Sequence, residues 1–184
     1  MKKLVILSLV AGFAFTVTCV TSCKKNEDTV VAPTLYDSLG GTAMVADPRG
    51  GTIETGRLGI RKVVDSTIFV IAFDNKINNF FSTLLAEYTA TPSNTTGFFA
   101  LEKSLTDFFC VATGAKNFTY SGKSMVAAHD PAQNPRMNGK AANADFNQFV
   151  TDLVKGAQQV GLPNDLIGRV GRVVETTRTQ VVQK

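Results

Sequence analysis

The chain has 184 residues, of which 44% are hydrophobic and 18% charged, with 19 basic side chains against 15 acidic ones. That is long enough for one domain with a real core. The charge is too even to suggest nucleic-acid binding, and no basic–aromatic stripe runs through the chain. Three cysteines and a single histidine exclude a disulfide-dense scaffold and leave no cluster spaced as a multi-residue metal site.

At the N-terminus, Lys2-Lys3 precede an apolar run from Leu4 to Val17. The run is too short to span a bilayer comfortably and suits a signal-peptide core. It leads into Val20-Thr21-Ser22-Cys23, which resembles the bacterial lipobox: an aliphatic residue and two small ones before the cysteine that takes lipid. Cys19 fits less well, because Thr16 holds its aliphatic position. The alternative is a plain secretory signal with a chance cysteine. Residues 1–22 are therefore expected to be a lipoprotein signal peptide and 23–34 a polar tether, with the folded domain at 35–184. More than one hydrocarbon chain on Cys23 gives stable anchoring where one would be marginal. The expected location is a membrane surface facing an extracytoplasmic space, periplasmic or on the outer membrane. Cys110 is then left alone and reads as a small core residue rather than a reactive thiol.

The remainder reads as all-helical. Upstream, Gly59 to Asn75 gives a helix with Ile60, Val63, Val64, Thr67, Ile68 and Ile71 inward, although its β-branched content also fits a strand. Phe98 to Thr113 gives another, through Leu101, Leu105, Phe108, Phe109 and Ala112. The clearest runs from Ala142 to Val160, where Phe146, Phe149, Val150, Leu153, Val154 and Ala157 recur at three- and four-residue steps. Gly161 fits its left-handed stop and Pro163 the first turn of a last helix continuing to about Val182. Three stretches read as loops: Asp47 to Gly56, Thr89 to Gly97 and Asp130 to Gly139.

His129 closes the segment from Met125, and helical spacing predicts that Met125, Val126 and His129 share an apolar face. Alone, such a residue suits a haem ligand, a buried structural histidine or a surface one. No glycine-rich phosphate loop and no framed nucleophile is present, so nucleotide binding and hydrolase chemistry are not indicated.

Four blocks, in order, resemble the truncated haemoglobins, most closely their group I. Leu35-Tyr36-Asp37-Ser38-Leu39-Gly40-Gly41 is similar to the family's opening helix and glycine pair. Val63-Val64-Asp65 and then Phe80-Phe81 resemble the start and end of its second helix. Phe108-Phe109, Tyr120-Ser121-Gly122 and Met125 to His129 resemble the distal helix, a turn and the proximal histidine. Gly161 to Ile167 resembles the joint between the last two helices.

The resemblance implies a truncated globin fold (a helical sandwich) with inserted loops, binding haem b through His129. A carbonyl at the end of the short helix would accept the other imidazole N–H. Phe81 would pack on the macrocycle, and Ile68, Leu101, Leu105, Phe109 and Met125 would line the pocket. Aligned on these blocks, Ile68 and Leu105 stand where group I members carry a hydrogen-bonding distal pair. Loss of such a donor costs ~1 kcal/mol or more of affinity for a polarised ligand. Thr67, Thr106 or Tyr88 are candidate substitutes, and Lys103, Lys116 or Lys123 are candidates for pairing with haem propionates.

The expected function is reversible binding of oxygen or another diatomic gas by a globin tethered through lipid on Cys23, without nucleic acid as a partner. Binding and transport fit better than catalysis. Two alternatives remain open. One is a haem-free globin-fold lipoprotein acting as an interaction module. The other is a haem enzyme that detoxifies nitric oxide with a reductase partner, for which Ile68, Leu101 and Leu105 offer no acid–base group.

Overall fold

A computed structural model describes residues 32–184, so the expected signal peptide, Cys19, Cys23 and all but the last residues of the expected tether lie outside the described residues. Thr34 caps the first helix, α1 (Leu35–Ser38). Its hydroxyl accepts from the Asp37 amide at 3.1 Å while the Asp37 carboxylate accepts from the Thr34 amide at 2.8 Å. This reciprocal arrangement satisfies two amides that a helix start leaves unpaired.

The stretch expected as a loop from Asp47 to Gly56 is instead largely structured. Strands β1 (Met44–Ala46) and β2 (Thr52–Glu54) form an antiparallel hairpin with Val45 opposite Ile53. Gly50 and Gly51 both have positive φ, which the turn requires and which side chains disfavour. The hairpin is pinned from outside. Arg61 reaches Asp47 at 2.6 Å, and Arg49 bridges Asp65 at 3.0 Å and Glu102 at 2.8 Å.

Helix α2 (Thr55–Ala72) begins four residues before the expected start, because β2 leads directly into it. Val63-Val64-Asp65 therefore falls in mid-helix rather than at a helix start, and Phe80-Phe81 lies in a separate 3₁₀ turn, Asn78–Phe81. Helices α3 (Ser82–Thr89) and α4 (Thr96–Ala112) follow, with residues 90–95 as loop between them. The short α5 (Met125–His129) is capped by the Ser124 hydroxyl.

Helix α6 (Asn143–Gln159) ends near Gly161, whose φ is +77°, and Pro163 precedes α7 (Asn164–Glu175) as expected. The last helix is not continuous. It breaks at Thr176–Thr177 before α8 (Arg178–Val181), and the Thr176 and Thr177 hydroxyls bond back to Val173 and Val174 carbonyls.

The core lies between α2, α4, α6 and α7, around Ile60, Val64, Phe109, Cys110, Phe146, Leu153, Ala157, Ile167 and Val174. Helices α2 and α6 run in opposite directions: Ser66 bonds to Gln159, whereas Lys76 bonds to Gln148. Gly156 sets their separation, since a Cβ there would stand 2.8 Å from the Thr67 Cα. Cys110 is fully buried, and burial pushes its thiol up to about 11, so it is unreactive at neutral pH. Among the described residues no helix is long and apolar enough to cross a membrane.

Candidate functional site

One face of α4 carries Leu101, Ser104, Leu105 and Phe108 at three- and four-residue steps. That face borders a cavity of about 350 Å³ together with Ile68 and Ile71 of α2, Phe80 and Phe81 of the 3₁₀ turn, and Met125 and His129 of α5. Phe109, which also packs in the main core, completes the wall. The structure thus gathers His129, Phe81, Ile68, Leu101, Leu105, Phe109 and Met125 around one cavity. Its size falls within the range of small-molecule sites, which are mostly apolar with few placed polar groups.

His129 is the group with the most chemistry here. Its Nδ1 lies 2.8 Å from the Met125 carbonyl, four residues back in α5. A carbonyl can only accept, so Nδ1 carries the proton and Nε2 keeps its lone pair. Burial lowers the His129 pKa below the ordinary imidazole value, and the bond to the Met125 carbonyl opposes this only in part. The ring is therefore held neutral near pH 7, as a metal-binding imidazole must be. Val126 departs from the expected shared face: it is exposed, because one residue along a helix is a turn of 100°, while Met125 and His129 at four residues apart do align.

The polar candidates sort clearly. Thr67 is buried and its hydroxyl donates to the Val63 carbonyl at 2.8 Å. Thr106 is buried on the far face of α4 beside Glu102. Neither borders the cavity, and Tyr88 is exposed and packs against Phe98. Lys103 is committed to Asp107, and neither it nor Lys116 lines the cavity, whereas Lys123 does.

Among the wall residues that sequence reasoning missed, Arg136 and Ser104 carry the most chemistry. Arg136 follows His129 in a loop without periodicity, and its guanidinium pairs with Glu87 at 3.0 Å. Ser104 was hidden between two leucines, and only the helical face 101-104-105-108 would have revealed it.

The loop after His129 closes one side of this wall. The Asn138 amide donates to the Phe80 carbonyl at 3.0 Å, and the Asn134 side chain donates to the Ala128 carbonyl at 2.7 Å. Arg136 adds the ion pair to Glu87 on α3. These ties connect the segment carrying His129 to the 3₁₀ turn carrying Phe81.

The fold that positions this cavity is that of the truncated (2/2) haemoglobins. The chain superposes on the truncated haemoglobin of Tetrahymena pyriformis with a TM-score of 0.58 and 21% identity, covering 83% of this chain and 100% of that one. It is similarly close to the 2/2 haemoglobin of Synechococcus sp. PCC 7002, a structure in the cyanomet state with covalently attached haem. There the TM-score is 0.57 and the identity 22%, again over 83% and 100% of the two chains. No protein-family model and no curated protein sequence matches the chain.

Proposed function

We propose that this protein is a haem-binding globin that reversibly binds oxygen or another diatomic gas. The observation that carries this reading is the orientation of His129: Nδ1 is spent on the Met125 carbonyl, which leaves Nε2 as a free lone pair beside an apolar cavity. A neutral imidazole fixed in this tautomer is the donor that a proximal iron ligand requires. The donor set fits haem b in other respects. The wall is aromatic and aliphatic and includes Phe81, which suits a flat macrocycle, and Lys123 supplies positive charge for the cofactor's carboxylates.

Held by His129, haem would supply iron chemistry that takes up a small diatomic ligand. The chain's contribution is to hold one imidazole nitrogen unprotonated, exclude water with Ile68, Leu101, Leu105 and Phe108, and cover one side with the loop through Arg136. Among the described residues no other histidine is present, and no group of His, Cys, Asp and Glu is placed to hold a bare metal ion.

The N-terminal sequence supports a lipoprotein, anchored through Cys23 and facing an extracytoplasmic space. Turnover of a bound gas would require a reductase partner, and gas binding without turnover needs none.

The test is a haemin titration of the full chain in detergent, followed by absorbance, beside His129→Ala. A saturable one-to-one change that the variant loses supports the reading. A folded wild-type chain that takes up no haemin overturns it and favours a haem-free module. Separately, Cys23→Ala is expected to move the protein from the membrane to the soluble fraction, and an unchanged distribution would remove the lipid anchor from the proposal.

A further inference from the structure

Several helical hydroxyls of this protein turn back on their own backbone, while Ser66 and Thr106 reach the Gln159 and Glu102 side chains instead. Thr67 donates to the Val63 carbonyl at 2.8 Å, Thr113 to the Phe109 carbonyl at 2.6 Å, Thr89 to the Leu85 carbonyl at 3.0 Å and Thr151 to the Asn147 carbonyl at 3.0 Å. This four-residue back-bond is the ordinary resting place of a helical hydroxyl. Ser104 does not use it. Its hydroxyl has no hydrogen-bond partner among the described residues, although it is half-buried and borders the cavity.

Apart from the His129 Nε2 and the Lys123 ammonium, the rest of the polar lining is already engaged. The Tyr120 hydroxyl donates to the Lys123 carbonyl at 2.7 Å, Asn134 to the Ala128 carbonyl, and Thr177 to the Val174 carbonyl. Arg136 is paired with Glu87, and the Asp145 carboxylate accepts from the Ala142 amide. On the walls formed by α2, the 3₁₀ turn, α3 and α4, every lining residue other than Ser104 is aliphatic, aromatic or glycine. Half-buried and uncommitted, the Ser104 hydroxyl is open to whatever occupies the cavity.

We propose that Ser104 is the hydrogen-bond donor that discriminates among small ligands in this cavity, favouring anionic and strongly polarised ones over weakly polar ones. This rests on the haem reading above and alters one part of the sequence expectation: the wall formed by Ile68, Leu101 and Leu105 is apolar, and Ser104 sits within it. A hydroxyl both donates and accepts, so it can serve ligands of either polarity, but its largest effect is on a negatively charged one.

The test uses the full chain in detergent, loaded with haemin, as wild type and as Ser104→Ala, Ser104→Val and Ser104→Thr. Haemin uptake is measured first, and ligand affinities are compared on the loaded fraction of each protein. Azide affinity of the ferric form and carbon monoxide affinity of the ferrous form are then compared. Loss of a hydrogen bond to a charged ligand predicts about tenfold weaker azide binding in the Ala and Val variants. Carbon monoxide affinity should change by less than about twofold, and Thr, which keeps the hydroxyl, should restore azide binding.

Azide affinities that agree within about twofold across all four loaded proteins would overturn the role of Ser104 while leaving haem binding intact. Equal losses of azide and carbon monoxide affinity would also overturn it, since they report a packing change. A wild-type chain that takes up no haemin would remove the proposed function, and this inference with it.

Discussion

Along α4, Glu102, Lys103, Thr106, Asp107 and Cys110 face one way and Leu101, Ser104, Leu105 and Phe108 the other. The first face is sealed. Thr106, Asp107 and Cys110 are buried, and Arg57 from α2 bonds to Asp107 at 2.6 Å, lies 3.7 Å from the Cys110 sulfur and stacks over Phe118. A second buried polar link runs beside it, where Glu54 accepts from both the Tyr36 hydroxyl and Asn117 at 2.7 Å. The second face borders a cavity and leaves Ser104 without a partner. One helix therefore holds the domain together with one side and leaves room for a ligand with the other. The lesson is that polar groups are frequent on the structural face and satisfied there, while the apolar face carries the polar group left over for chemistry.

The strongest way to test this division is to remove Arg57. Asp107 is 5% exposed, and an uncompensated buried carboxylate is costly. Arg57→Ala is expected to lower unfolding stability by about 3 kcal/mol, the low end for a broken buried pair, because Lys103 still reaches Asp107. Denaturant midpoints would measure it. A loss below about 1 kcal/mol would show that the sealed face is not where the stability lies.

A smaller effect is expected across the helix. Leu105→Ala removes side-chain atoms next to space that already exists, so few contacts are lost. Its cost should fall below about 2 kcal/mol, under the usual range for buried leucines. Leu153→Ala on α6, 2% exposed in the main core, serves as the control and should cost about 3 kcal/mol. If the two variants cost the same, the cavity wall is packed like the core and the contrast fails.

How much of this was legible before the structure follows from the range of the forces involved. Helices α6 and α7 announce themselves, because Phe146, Leu153 and Ala157 and then Ile167, Val170 and Val174 repeat at helical steps and Gly161 and Pro163 mark the joint. The residues gathered at the cavity were legible only through the resemblance, with His129 standing out as the single imidazole. The hairpin was not legible. Three-residue strands carry too little periodicity, and what holds them is non-local: Arg49 meets Glu102 across 53 positions and Arg61 meets Asp47 across 14. Ser104 is not legible from the block resemblance, which marks Leu101 and Leu105; only the helical face 101-104-105-108 sets it beside them. Arg136 lies in an aperiodic loop, and nothing in its neighbours marks it as facing a cavity.

The smallest expected effect sharpens the comparison through pH, since the two faces titrate in different ranges. Without a ligand in the cavity, His129 is half-buried and its surroundings hold its pKa below the unfolded value of about 6.5. Just below that pH the unfolded chain binds a proton that the native one does not, and stability rises with pH through that interval. The His129 contribution is thus complete above about pH 7 and shrinks as pH falls toward 5, with a slope of at most about 1.4 kcal/mol per pH unit. His129→Gln should flatten that segment.

On the sealed face the sign is the same but the range is lower. Burial alone raises the Asp107 carboxyl, yet the hydrogen bonds from Lys103 and Arg57 outweigh it and hold it below the usual carboxylate value. Its contribution persists down to about pH 4 and is lost only below that. Asp107→Asn should keep the shoulder between pH 7 and 5 that His129→Gln removes. A wild-type profile flat from pH 7 to 5, or one that His129→Gln leaves unchanged, would mean that burial does not depress the imidazole, leaving the bond to the Met125 carbonyl as the one support for a free Nε2.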